Sequence, residues 1–118
     1  MYCRSDREQS LKILITGSTG LIGSNLHKRL VDDGCDVIGV STKDGDLTDA
    51  KFCNDITKDV DVVFHCAAVT SGAKVMDDSP LSHITPNIVM NALLMEACHN
   101  NGVKKFIFMS SSVVYPYT

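Results

Sequence analysis

No stretch of these 118 residues stays apolar over the ~20 positions a membrane helix needs, so no membrane-spanning segment is expected. Runs of lysine and arginine are also missing. With a net charge of −3, this argues against nucleic acid or an anionic membrane as a partner, although a local field can still hold a small anion. The five cysteines, Cys3, Cys35, Cys53, Cys66 and Cys98, are odd in number, widely spaced and without a CxxC pair. That pattern suggests neither a disulfide framework nor a zinc knuckle, and predicts reduced thiols in a cytoplasmic protein. The start, MYCRSDREQS, lacks the apolar core of a signal peptide, so residues 1–10 read as a short flexible tail. Internal repeats, low-complexity tracts and linkers are absent as well. A chain of this length with 44% hydrophobic and 21% charged residues is expected to form one globular domain.

What is present is a recurring pattern. Four short runs, KILIT (12–16), DVIGV (36–40), DVVFH (61–65) and KFIFMS (105–110), are apolar on successive residues rather than on alternate ones. Such runs suit strands buried on both faces, hence a parallel sheet covered by helices. Between the first two, Ile22, Leu26 and Leu30 form one helical stripe that Gly34 is placed to end. Before the third, Phe52 and Ile56 suggest a short helix with Thr48 as its cap. Before the fourth, a longer helix is expected from near Ser82 to Gly102, and residues 70–86 read as one long irregular segment. Alternating strands and helices with right-handed crossovers predict an α/β fold: the N-terminal half of a Rossmann-type doubly wound parallel sheet, over residues 11–118.

The first strand runs into its helix through Gly17, Gly20 and Gly23, spaced GxxGxxG. Taken alone, three glycines fit a tight connection as well as a ligand loop. A phosphate cradle needs backbone amides and the positive end of a helix close to an anion, with no Cβ in the way. Gly17 would make the turn, Gly20 would admit a pyrophosphate and Gly23 would let helix and strand pack. A P-loop is excluded because no GK[ST] follows. The position of the loop, after the first strand of a parallel-sheet pattern and opening a helix, favours a dinucleotide cradle.

TGSTGLIGSNL resembles the TGxxGxxG loop of the extended short-chain dehydrogenase/reductases, the NAD-dependent epimerase/dehydratase family that modifies nucleotide sugars. GDL (45–47), HCAA (65–68), NIVMNALLMEA (87–97) and FIFMSSSVVYP (106–116) continue the resemblance in the family's order. It implies NAD or NADP bound along Gly17, Ser18, Thr19, Gly20, Leu21, Ile22 and Gly23. It also implies Asp46 reaching the adenine amino group, the Leu47 backbone against the ring, and Cys66, Ala67 and Ala68 lying near the ribose and pyrophosphate. Spacing alone would leave Asp46 a loop acid. Ser111, four residues before Tyr115, matches the catalytic serine that holds the substrate oxygen; without the family match it is a serine-rich strand end. Asn87 matches an asparagine that orders the active site, or else only starts its helix. Ser41, Thr42 and Lys43 follow the second strand, where the adenosine ribose is expected. Two hydroxyls and a cation suit a 2′-phosphate and so NADP over NAD, the alternative being an exposed loop lysine.

His65 beside Cys66 is not expected to act as a nucleophile or metal pair, because neighbours on a strand face opposite ways. His27, His83 and His99 read as solvated or capping residues, and no metal site is expected. Two departures from the family pattern matter. No Tyr-x-x-x-Lys occurs in the sequence, so the proton-transfer pair is missing and the domain reads as C-terminally truncated. SVVYP and STKDGDLTD resemble the GDP-fucose synthase branch, but that branch's epimerising cysteine would fall at Val113, so this activity is not assigned. Two functional readings follow. One is the cofactor domain of a nucleotide-sugar epimerase, dehydratase or reductase, acting on a nucleotide sugar and forming a homodimer through its long helix. The other is a non-catalytic NAD(P)-binding module.

Overall fold

A computed structural model describes residues 11–70, 73–111 and 116. The elements are β1 (Lys12–Thr16), α1 (Leu21–Asp32), β2 (Asp36–Val40), α2 (Ala50–Ile56), β3 (Val62–His65), α3 (Ala73–Asp78), α4 (Leu81–Asn100) and β4 (Lys105–Phe108). The four strands form one parallel sheet in the order β2-β1-β3-β4, with Ile13 opposite both Val37 and Val62, and Val63 opposite Phe106. This is the expected Rossmann-type α/β sheet. Its strand order changes direction between β1 and β3, where open α/β sheets hold their ligands.

Strand alternation builds two cores. Ile13 and Ile15 of β1, with Val62 and Phe64 of β3, pack with Leu26 and Leu30 of α1. Leu14 and Val63 point the other way, to Cys53 of α2 and Leu94, Ala97 and Cys98 of α4. Among the described strands only β1 and β3 are buried on both faces. β2 and β4 flank them, so Ile38 and Phe108 are exposed although their runs read as equally apolar.

Helix α1 forms where its stripe predicted, but the buried positions are Gly23 and Leu30. Ile22 is exposed, because at about 100° per residue it lies well round the helix from Leu30. Helices α1 and α4 end alike: Cys35 N–H donates to Leu30 O at 3.0 Å and Val103 N–H to Cys98 O at 2.9 Å, over Gly34 and Gly102. The cap of α2 is Asp49, not Thr48; its carboxylate accepts the Lys51 N–H at 3.0 Å, while Thr48 is bonded to Asp46. Most of the segment read as irregular, 70–86, is helical, carrying α3 and the start of α4. Pro80 stands at the N-cap of α4, where a missing N–H costs nothing, and Pro86 lies inside the helix.

Cys53, Cys66 and Cys98 are free thiols, but Cys35 is disulfide-bonded, which corrects the reading of all five as reduced. Sequence spacing does not reveal which sulfur atoms folding brings within bonding distance. Nor is His83 solvated: it is buried in the first turn of α4. The tail, Ser112, Val113, Tyr115 and Tyr117 lie outside the described residues.

Candidate functional site

A cavity of about 830 Å³ opens at the C-terminal ends of β1 and β3. Gly17, Thr19 and Gly20 form one wall, the stretch after β2 another, and Cys66 to Val69 a third. The size lies within the range of small-molecule and cofactor sites.

Each glycine of the loop meets a different constraint. Gly17 has φ +68°, and a Cβ there would sit 2.7 Å from the backbone nitrogen of Ala67, so the loop approaches the end of β3 backbone to backbone. A Cβ on Gly23 would overlap the carbonyl oxygen of Gly17, so the helix lies directly on the turn. Gly20 is open, with only the Gly17 oxygen near, at 3.4 Å. Gly20 is also the N-cap of α1, and no side chain caps this helix end. The turn, the packing and the open approach therefore fall on the three glycines in the way the spacing suggested.

Of the residues singled out from sequence, Gly17, Thr19, Gly20, Ser41, Thr42, Asp46, Leu47, Cys66, Ala67 and Ala68 share the cavity wall. Ser18 does not: its N–H donates to Val40 O at 3.1 Å and its side chain packs beside Gly39, joining the loop to β2. Leu21 and Ile22 are exposed, Gly23 is buried in the turn, and Lys43 lies exposed off the wall. Asn87 is well inside α4 rather than at its start. Its Oδ1 accepts the Val69 N–H at 2.8 Å and its Nδ2 donates to Val69 O at 3.0 Å, so it clamps the segment after β3. Ser111 is exposed beyond the end of β4 and off the wall.

Beneath the cavity runs a buried chain of hydrogen bonds that sequence reasoning missed. Thr16 Oγ1 accepts the Ala67 N–H at 3.2 Å and contacts His65 Nδ1 at 2.7 Å; His65 Nε2 contacts Asn91 Oδ1 at 2.6 Å. One proton arrangement satisfies all of it: the Thr16 hydroxyl donates to Nδ1, and a neutral His65 donates from Nε2. Burial holds the imidazole pKa below its ordinary value, in agreement with the neutral form. Both ring nitrogens are thus engaged away from Cys66, whose thiol burial pushes up, so the two form no nucleophilic pair. A polar Thr16 closing an otherwise apolar run was the one sequence signal of this network.

The wall that follows β2 is also fixed from within. Asp46 Oδ1 accepts from Thr48 N–H at 2.9 Å and from its hydroxyl at 2.7 Å, and these bonds lower the carboxyl pKa. Cys53 Sγ donates to Leu47 O at 3.1 Å. Val40, Gly45, Thr48, Val69, Pro86 and Met90 complete the wall and were not foreseen. Pro86 and Met90 come from α4, which only folding brings over the sheet edge. Among the described residues no helix is long and apolar enough to cross a membrane.

A loop left open at Gly20, an uncapped helix end and the Asp46 carboxylate on the cavity wall fit a dinucleotide. Comparison with known proteins bears on the same point. GDP-mannose 3,5-epimerase 1 of Oryza sativa subsp. indica is 30% identical over 135 residues, covering 98% of this chain and 36% of the relative. UDP-glucose 4-epimerase of Vibrio cholerae is 35% identical over 125 residues, covering 92% and 37%. The chain thus spans little more than a third of the length of these relatives. The solved structure of MoeE5 in complex with UDP-glucose and NAD is 31% identical with a TM-score of 0.79, covering 91% of this chain and 38% of that one. Residues 13–118 match the NAD dependent epimerase/dehydratase family. That match starts at the first buried residue of β1 and leaves none of the eight elements outside it: the chain belongs to the NAD dependent epimerase/dehydratase family.

Proposed function

We propose that this chain is the cofactor-binding part of a nucleotide-sugar epimerase, dehydratase or reductase, and that its cavity binds NAD(P). The observation that carries this is the open Gly20, set at the mouth of α1 on the wall of the cavity. The cofactor would supply a hydride acceptor or donor at the sugar. The chain's own residues bind and position. Gly20 and the amides that follow it take the pyrophosphate, with Thr19 beside them. Asp46, with Oδ1 held by Thr48, offers Oδ2 to the adenine amino group. The Leu47 backbone lies along the ring, its carbonyl kept in place by Cys53. Small side chains at Ala67 and Ala68 let the backbone come close, and Asn87 fixes Val69 beyond them. Ser111 holds the sugar oxygen that gains or loses a proton. Proton transfer itself falls to a Tyr-x-x-x-Lys pair supplied from outside these residues, because the sequence contains none.

At the 2′ position of the cofactor two opposed groups compete: the hydroxyls of Ser41 and Thr42 with Lys43 favour a phosphate, and the carboxylate of Asp44 favours a hydroxyl. Self-association through α4 is part of the same reading. Leu81, Ile84, Ile88 and Met95 are all exposed and fall within about 60° of one another around the helix, opposite its buried side. A cytoplasmic setting rests on the three free thiols among the described residues, and the Cys35 disulfide counts against it.

Fluorescence titration with NADH and NADPH tests the cradle, with Gly20→Arg as the control. Saturable binding that disappears in a variant of unchanged far-UV dichroism is the expected result. Binding that survives Gly20→Arg, or none by the parent chain, overturns it.

A further inference from the structure

The cavity wall after β2 rests on the first turn of α2. A Cβ on Gly45 would lie 2.5, 2.6 and 2.7 Å from Cε2, Cδ2 and Cζ of Phe52, so the ring fills the space that a side chain at 45 would take. Gly45 has no positive φ, and what excludes a side chain there is the ring rather than the backbone. Phe52 is half-buried, yet it belongs to neither core. On α2 the buried residue is Cys53, and Ile56 packs against the core that Cys53 joins.

Gly45, Asp46 and Leu47 line the cavity in succession, and Phe52 itself is off the wall. The bonds from Thr48 to Asp46 Oδ1 join residues two apart. They shape the turn without fixing where it stands over the sheet. That falls to the neighbours of Asp46 on either side. Leu47 is held by its side chain against the core and by the Cys53 thiol on its carbonyl. Gly45 is held by the ring beneath it, through dispersion contacts that weaken steeply with any gap. Helix α2 is anchored in turn: Asn101 Nδ2, at the C-cap of α4, donates to Asn54 O at 2.9 Å and to Thr57 Oγ1 at 2.8 Å. The lining from α4, Pro86 and Met90, is thereby tied through α2 to the lining at 45–47.

We propose that Phe52 is a positioning residue of the cofactor cavity: its ring carries Gly45, and so sets where the Asp46 carboxylate stands on the wall. This rests on the reading of the cavity as a dinucleotide site. It adds a residue that acts on the ligand only through the backbone it supports, and it gives the absence of a side chain at 45 a cause outside the turn.

Fluorescence titration with NADH of the full chain, of Phe52→Leu, of Gly45→Ala and of the double variant tests the proposal, with far-UV dichroism showing that each is folded. Leucine keeps an apolar side chain on α2 but withdraws the ring atoms that an alanine at 45 would meet. Gly45→Ala binds NADH ~10-fold more weakly than the parent and Phe52→Leu ~3-fold more weakly, while the double variant binds better than Gly45→Ala alone, because the new Cβ enters the room the ring has left. A role in stability alone would lower Tm and leave the affinity of the folded variants unchanged. Should Gly45→Ala not fold, Phe52→Leu decides by itself: weakened binding upholds the role and parental affinity overturns it. Parental affinity in both single variants, or losses that simply add in the double variant, would also overturn it, although binding abolished by Gly20→Arg would still uphold the cradle. If the parent chain does not bind NADH saturably, the cradle itself fails and the positioning role with it.

Discussion

His65 shows how much one side chain can hold together. It joins β3 to Thr16 of β1 and to Asn91 of α4, and Thr16 in turn holds the Ala67 amide at the cavity wall. Because burial lowers its pKa, the unfolded chain binds a proton more readily than the folded one as pH falls. This group is neutral in both states well above 6.5, its ordinary value, and costs stability as pH drops below it. Urea unfolding at pH 7.5 and pH 5.5 checks this: the parent chain should lose more stability between the two than His65→Gln does. Equal losses would show that His65 is not the titrating group. The same variant should be less stable than the parent at pH 7.5 by about 1–3 kcal/mol, the usual cost of leaving buried polar groups without partners. The glycines were legible in the sequence because their meaning lies in a missing Cβ. This network was not, because its links span 49 and 26 residues of chain.

Among the elements, the strands, the long helices and the short α2 were legible from apolar periodicity, and the caps and α3 were not. Thr48 and Asp49 are both good capping types, and the choice between them depends on which one the chain leaves free. Here Asp46 engages Thr48, and Asp49 is left to take the Lys51 amide. Asp49→Ala should therefore lower stability by about 1 kcal/mol, lowering Tm by several degrees. Thr48→Ala should cost less, since it loses an exposed bond to Asp46. Thermal unfolding followed by circular dichroism separates the two, and a larger drop for Thr48→Ala would return the cap to Thr48. Residues 70–86 misled for a related reason. Gly72, Pro80 and Pro86 all punctuate helices when read locally, yet Pro80 starts α4 and Pro86 is absorbed within it.

For the molecule as a whole, α4 presents the sharpest imbalance. Its buried side, with Met90, Leu94, Ala97 and Cys98, faces the sheet, and its other side carries Leu81 and Ile88 at 68% and 62% exposure. A helix apolar on both sides implies cover on both. Sedimentation velocity should find a dimer of the parent chain and a monomer of the Ile84→Glu, Ile88→Glu double variant. A monomeric parent would remove the assignment of this face to self-association. By itself the sequence determined the parallel α/β order, the glycine loop and the places where strands hand over to the site, since these follow from local apolar patterning and from residues without side chains. Tertiary structure alone decided which strands are central, that α4 roofs the cavity with Pro86 and Met90, that His65 is buried and neutral, and that Asp44 turns back onto Ser41. Each of these is a contact or burial set by how the turns and crossovers close. Local pattern records what a residue can do, and the closing of the chain fixes what it meets.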